Sequence, residues 1–267
     1  RLKAFQCRVN LIPLSEVEEY AGKVSAPEAV NMFIKVLGSA GVNATLRNSR
    51  GGDEPGVLWA AKVCLEAGCQ GITVHPRPDQ RHIRPSDVRG LRALLSQDLK
   101  SPSPELNIEG RPTAEFLALV EEVKPDQITL VPDSAGQLTS DHGWDLKDGK
   151  KELEKVVPRM KKTGARIVFF MDAVPDAIAR AKDLGADRVE LYTGPYAEAF
   201  KRGDPKAEVK NLFASAEAAV KVGLGVNAGH DLTIENLPPL VRLLGLKEVS
   251  IGHHLIGRAL GSGLRQS

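Results

Sequence analysis

From about residue 54 to the end, short apolar runs rich in β-branched residues alternate with longer stretches whose apolar positions recur at helical spacing. The short runs predict seven strands: Gln70-Gly-Ile-Thr-Val-His75, Leu106-Asn-Ile-Glu109, Gln127-Ile-Thr-Leu-Val-Pro-Asp133, Arg166-Ile-Val-Phe-Phe-Met-Asp172, Arg188-Val-Glu-Leu-Tyr-Thr193, Gly223-Leu-Gly-Val-Asn-Ala-Gly-His230 and Glu248-Val-Ser-Ile-Gly-His253. The longer stretches predict helices over roughly 55–67, 87–97, 114–123, 146–162, 175–184, 207–221 and 233–244. Three of these end at Ala67-Gly68, Thr163-Gly164 and Leu184-Gly185, where glycine supplies the left-handed cap that turns the chain into the next strand. Strand–helix units in unbroken succession imply parallel strands joined by right-handed crossovers. One more strand before residue 54 would make eight, the count of a (β/α)8 TIM barrel. No G-x-G-x-x-G follows a first strand, which argues against a doubly wound open sheet. Residues 1–43 are less regular, with helical pieces at Ser15–Ala21 and Ala26–Leu37. Either Phe5–Leu11 or Phe33–Asn43 fits the missing strand. The expected organisation is one α/β barrel domain over 1–267, with 1–43 an atypical N-terminal helical segment.

Composition narrows the partners. Among 267 residues, 36 Lys and Arg stand against 34 Asp and Glu, leaving a net charge of +2. Nucleic-acid or polybasic membrane binding would need a one-sided excess. Aromatic residues at 4% offer little for stacking on single-stranded bases. The cysteines Cys7, Cys64 and Cys69 are odd in number and sparse, so a reducing, cytoplasmic setting is expected rather than a disulfide framework. No apolar run reaches the roughly 20 residues of a membrane span, and no signal peptide is expected.

In barrels of this type, chemistry gathers at the C-terminal ends of the strands. The predicted strands deliver His75, Glu109, Asp133, Asp172, Thr193, His230 and His253 there. Any one of these is ordinarily a polar residue capping a loop. Three histidines and three carboxylates at one rim are instead a set suited to proton transfer near neutral pH. Arg47 and Arg50 in Thr45-Leu-Arg-Asn-Ser-Arg-Gly-Gly52, and Arg77, Arg81 and His82 after the 70–75 strand, add positive charge. Arginine's planar fork suits phosphate, and the loops after the last two strands are a common phosphate site in barrels. Glu190 lies inside a strand, where it either ion-pairs structurally or stabilises a cationic intermediate. No metal is expected: the cysteines lack C-x-x-C spacing, and His253 and His254 face opposite ways on a strand.

Ala44-Thr-Leu-Arg-Asn-Ser-Arg-Gly51, Gly71-Ile-Thr-Val-His-Pro-Arg-Pro-Asp-Gln-Arg-His-Ile83, Asn107-Ile-Glu-Gly110, Leu130-Val-Pro-Asp133, Leu138-Thr-Ser-Asp-His-Gly-Trp-Asp-Leu146, Glu190-Leu-Tyr-Thr193, Gly225-Val-Asn-Ala-Gly-His-Asp-Leu232 and Val249-Ser-Ile-Gly-His253 together resemble the pyridoxine 5′-phosphate synthase family, in order, over about 44–264. The resemblance implies condensation of 1-deoxy-D-xylulose 5-phosphate with 3-amino-2-oxopropyl phosphate, giving pyridoxine 5′-phosphate, phosphate and water. It implies His75 and Glu109 as proton acceptors, His230 as proton donor and Glu190 as transition-state stabiliser. It also implies substrate contacts at Asn43, Arg50, Arg77, His82, Thr139, Asp231, Gly252 and His253. No cofactor is implied, and the family forms cytoplasmic homo-octamers. This chain departs from the family's pattern before Ala44, where the usual His or Lys is missing. The substrate asparagine is therefore either Asn43, or Asn10 with about thirty residues inserted after it. Two alternatives remain at this point: another phosphate-handling barrel such as an epimerase or aldolase, and a non-catalytic barrel that binds a sugar phosphate.

Overall fold

The computed structural model describes residues 6–11, 45–46, 57–66, 70–81, 83–97, 103–134, 137 and 139–251, the first two segments by their backbone. The elements alternate along the chain. Strands β1 (Gln6–Leu11) and β2 (Thr45–Leu46) precede helix α1 (Val57–Glu66), β3 (Gly71–Val74) and α2 (Pro85–Ser96). Then come β4 (Glu105–Gly110), α3 (Ala114–Val123), β5 (Gln127–Leu130), α4 (Lys150–Lys161) and β6 (Arg166–Met171). Two single turns, α5 (Pro175–Ile178) and α6 (Arg180–Asp183), lead to β7 (Arg188–Tyr192), α7 (Gly194–Lys201) and α8 (Lys206–Lys221). The chain continues through β8 (Gly225–Gly229), α9 (Leu237–Leu240) and β9 (Leu246–Ile251).

All described pairings are parallel, in the order β2-β1-β9-β8-β7-β6-β5-β4-β3. First and last strands are thus neighbours, as a sheet curled into a TIM-type α/β barrel requires. The seven predicted strands from Gln70 onward are all present. Of the two candidates for the first strand, the 5–11 region takes the place beside β9, pairing Gln6 with Glu248 and Val9 with Ile251. β2 runs along its other side, Asn10 opposite Thr45, although residues 12–44 separate them in sequence. Phe33–Asn43 and both N-terminal helical pieces lie outside the described residues, as does Gly68.

The helices depart from expectation in three places. The 233–244 stretch is helical only at Leu237–Leu240; Pro238 and Pro239, with no N–H to donate to residues 234 and 235, keep the helix from starting earlier. The 175–184 stretch divides at Ala179 into two single turns. Helix α7 has no counterpart among the predicted helices; its Pro195 lies in the first turn, where proline forfeits no hydrogen bond. The expected left-handed caps at Gly164 and Gly185 are present, with φ of 87° and 88°.

Alternation along each strand separates two layers. Ile72, Val74, Leu106, Ile108, Ile128, Leu130, Ile167, Phe169, Val189 and Val226 are buried in one continuous apolar core with helix residues such as Leu91, Val120, Leu153, Val157, Leu212 and Ala216. Each Val, Leu, Ile or Phe among them contributes about 1.5–3 kcal/mol by leaving water. The intervening positions face the barrel axis and are mostly polar, with Val168 and Phe170 of β6 the apolar ones. Asn107 donates to Thr73 Oγ1 and accepts from Thr129 Oγ1, at 3.4 and 3.1 Å, linking β3, β4 and β5. Nearer the N-terminal ends of the strands, Arg166 of β6 pairs with Glu105 of β4. Arg188 donates to Gln127 Oε1 at 3.3 Å and pairs with Glu248 at 3.4 Å. These hydrogen-bonded charges hold the barrel floor and leave the opposite rim to a separate set of side chains.

Candidate active site

The rim is built from the last residue of several strands or the first residues after them. His75 follows β3 and Glu109 is the penultimate residue of β4, before Gly110; their adjacency follows from the β3–β4 register. His75 Nδ1 lies 3.8 Å from Glu109 Oε2, and the residues are only 3% and 7% exposed. At that separation the two exchange charge influence without a close hydrogen bond, a spacing that leaves room for each to take a proton from a third group.

Glu190 of β7 is 2% exposed and lies directly opposite Asn227 of β8, itself 1% exposed. A Cβ added at Gly229 would overlap Glu190 Oε1, so the bare backbone of β8 makes the space the carboxylate occupies. Gly229→Ala is expected to force Glu190 to a new rotamer and lower turnover by about tenfold or more, with a smaller loss of stability, about 1–3 kcal/mol. Steady-state kinetics beside urea unfolding would check this; full activity would show that the Glu190 carboxylate need not stay where it is.

His230 begins the loop after β8 in a left-handed conformation, φ 81°, followed by Asp231 at φ 54°. Neither is glycine, and each such residue costs about 1–3 kcal/mol unless its surroundings hold it. The holding groups are visible. Thr193 N and Oγ1 both donate to the Gly229 carbonyl, at 2.8 and 2.5 Å, and Oγ1 also reaches the His230 carbonyl. Asn236 Nδ2 donates to the Asp231 carbonyl at 3.1 Å. The His230 ring stands against Phe170 of β6 at 4.9 Å and edge-on to Tyr192 of β7 at 5.5 Å. Desolvation, with Asp231, Asp141, Asp172 and Glu198 adding to it, pushes the Tyr192 phenol above its usual range, so it stays protonated.

Arg77 and Asp133, from the loops after β3 and β5, form a buried ion pair of 2.8 Å. Arg77 also donates to the Gln137 carbonyl at 3.2 Å, and Ser140 Oγ donates to Asp133 Oδ2 at 2.7 Å. Thr139, exposed, sits between those two anchors. Asp172, another expected rim carboxylate, accepts from the Gly143 N–H at 3.1 Å and so pins the far end of the same loop.

The structure therefore brings His75 and Glu109 together, places Glu190 on β7 and His230 just after the neighbouring strand β8, and puts Arg77, Thr139 and Asp231 on loops at the same rim. Asn43, Arg50, His82, Gly252 and His253 lie outside the described residues, and the Asn10 side chain does too. Phe170, Tyr192 and Asn236 escaped the sequence reading as parts of the site. The signal for two of them was available: Phe170 and Tyr192 share the inward phase of their strands with Asp172 and Glu190. Among the described residues no group of three His, Cys, Asp or Glu side chains converges as metal ligands would. No described helix is long and apolar enough to cross a membrane.

Comparison with known proteins agrees with this architecture. Among solved structures, the N-acetylmannosamine-6-phosphate 2-epimerase from Clostridium perfringens aligns with 99% of this chain and 95% of its own, with a TM-score of 0.51 at 12% identity, a likeness of fold. A pyridoxine 5′-phosphate synthase from Chelativorans sp. (strain BNC1) is 47% identical over 240 residues, covering 88% of this chain and 96% of that protein. Those of Allorhizobium ampelinum and of Xanthomonas axonopodis pv. citri are 50% and 49% identical, covering 84% of this chain and 90% and 89% of their own length. The family model described as pyridoxal phosphate biosynthesis protein PdxJ matches residues 41–267. With the model spanning most of the chain and relatives near half identity, this protein belongs to the pyridoxine 5′-phosphate synthase family.

Proposed function

We propose that the chain condenses 1-deoxy-D-xylulose 5-phosphate with 3-amino-2-oxopropyl phosphate to form pyridoxine 5′-phosphate, inorganic phosphate and water. What supports this most is the buried His75–Glu109 pair at the rim that also carries Glu190 and His230. The reaction joins an amine to a ketone with loss of one water, expels phosphate from one substrate, and closes a ring by carbon–carbon bond formation with loss of a second water. Every step moves protons and none moves electrons to a carrier, so acid–base groups suffice and no cofactor is called for.

His75 and Glu109 act as proton acceptors at carbon and nitrogen, and His230 returns protons to departing oxygen. Glu190 stabilises the cationic imine by its negative charge, in a setting dry enough for that charge to act strongly. Substrate and phosphate contacts fall on Arg50, Arg77, His82, Thr139, Asp231, Gly252 and His253, with either Asn43 or Asn10 as the substrate asparagine. Arg77 additionally holds the loop bearing Thr139, through Asp133 and the Gln137 carbonyl. Cytoplasmic homo-octamers belong to the same proposal.

Phosphate release by the purified chain is expected only when both substrates are present. Release or isomerisation with the sugar phosphate alone would instead indicate an epimerase or aldolase on this barrel.

A further inference from the structure

We propose that Thr193, Tyr192 and Asn236 are positioning residues for His230: the end of β7 and the loop after β8 form a bracket that fixes where the imidazole points. This rests on His230 serving as the proton donor proposed above. Three successive carbonyls, those of Gly229, His230 and Asp231, face side-chain donors: the first two share the single Thr193 hydroxyl proton, and the third accepts from Asn236 Nδ2. Both side chains are buried, Thr193 fully and Asn236 at 3% exposure. Asn236 is itself fixed: its Oδ1 accepts from the Thr233 N–H at 2.7 Å, and its carbonyl accepts from the Tyr196 hydroxyl at 2.5 Å.

The bracket explains why two non-glycine residues hold left-handed backbones in succession at this point. A residue at φ 81° aims its side chain differently from one on the preceding strand, so the turn sets the direction of the ring. Phe170 and Tyr192 then limit its rotation from two sides. The Tyr192 ring is in turn seated over residue 194, where a Cβ would overlap its hydroxyl oxygen; only glycine lets the ring lie there. The segment Tyr192-Thr193-Gly194 therefore acts as one unit: ring wall, carbonyl clamp and clearance.

Such residues act through His230 without touching substrate, which separates them from groups that bind it. In Thr193→Val the shape is kept and the hydroxyl lost; Thr193→Ser keeps the hydroxyl. Tyr192→Leu removes the wall, whereas Tyr192→Phe keeps it. Thr193→Val and Tyr192→Leu are expected to lower kcat about 10- to 100-fold, since a small misplacement of a reacting group has that effect. KM is expected to stay within about threefold, because binding is not what the bracket serves. Thr193→Ser and Tyr192→Phe are expected to remain close to the parent.

The second readout is the His230 ring proton signal in protein labelled at histidine Cε1, assigned by its disappearance in His230→Asn. The nearby aromatic rings displace that signal, and it is expected to move in Thr193→Val and Tyr192→Leu but not in the two conservative variants. Tyr192 is half-buried, so its pair of variants decides the matter should Thr193→Val fail to fold. An unmoved signal in Tyr192→Leu, or a raised KM at unchanged kcat, would overturn the positioning role. A moved signal in a protein whose parent shows no turnover would support the bracket and refute the proposed reaction, so the two failures are distinguishable.

Discussion

Turnover is expected to fall by about 100-fold or more in Glu109→Gln and in His230→Asn, with the fold intact in both. Glutamine has the shape of glutamate and keeps its hydrogen-bonding reach, but it cannot accept a proton. Glu109 is buried beside His75, so the change also removes a carboxylate neighbour of that imidazole. Asparagine at 230 is chosen for the backbone: His230 sits at φ 81°, and asparagine is among the few residues that enter the left-handed region readily. Loss of activity in His230→Asn would then report the imidazole and not a collapsed turn. Equal rates in variant and parent, measured as initial velocities at saturating concentrations of both substrates, would remove these two groups from the proton relay.

The second large effect concerns stability. Asp133→Ala is expected to destabilise the protein by about 3–5 kcal/mol, because it leaves the Arg77 guanidinium buried without its carboxylate. Both side chains are at most 7% exposed, their closest atoms are 2.8 Å apart, and Ser140 Oγ loses its acceptor as well. The Gln137 carbonyl remains near Arg77, but a neutral acceptor at 3.2 Å does not replace an ion. Replacing both partners, Arg77→Met with Asp133→Leu, is expected to recover most of that stability, since an apolar pair leaves no uncompensated charge. Urea unfolding midpoints of the single and double variants would settle it; a loss below about 1 kcal/mol in Asp133→Ala would mean that water reaches the guanidinium. The double variant separates two roles of Arg77, because it rebuilds the loop anchor while deleting any contact with a substrate phosphate.

Much of this architecture was legible in the chain because parallel strands buried on the helix side announce themselves as short β-branched runs. The spacing of Gln70–His75 through Glu248–His253 led directly to β3–β9, and glycine after Thr163 and Leu184 marked the helix ends. The ends of those runs pointed to His75, Glu109 and His230, which the structure places at or just after the C-terminal ends of β3, β4 and β8. The first strand was not decidable. Both Phe5–Leu11 and Phe33–Asn43 have strand character, and only pairing with β9 separates them. Asp133 and Asp172 looked like chemistry and are anchors for one loop, because partner identity depends on loops whose path has no period. Thr193 and Asn236 were invisible as a bracket for a similar reason: a side chain that clamps distant carbonyls leaves no mark in hydrophobic alternation.

The central claim is that this rim joins two phosphorylated molecules into one ring. Its most direct test supplies 3-amino-2-oxopropyl phosphate labelled with 15N, together with 1-deoxy-D-xylulose 5-phosphate, to the purified chain. Mass analysis is expected to show pyridoxine 5′-phosphate carrying the label in its ring, formed in equal amount with inorganic phosphate. A folded protein that forms no labelled ring product, or that converts either substrate alone, would contradict the account.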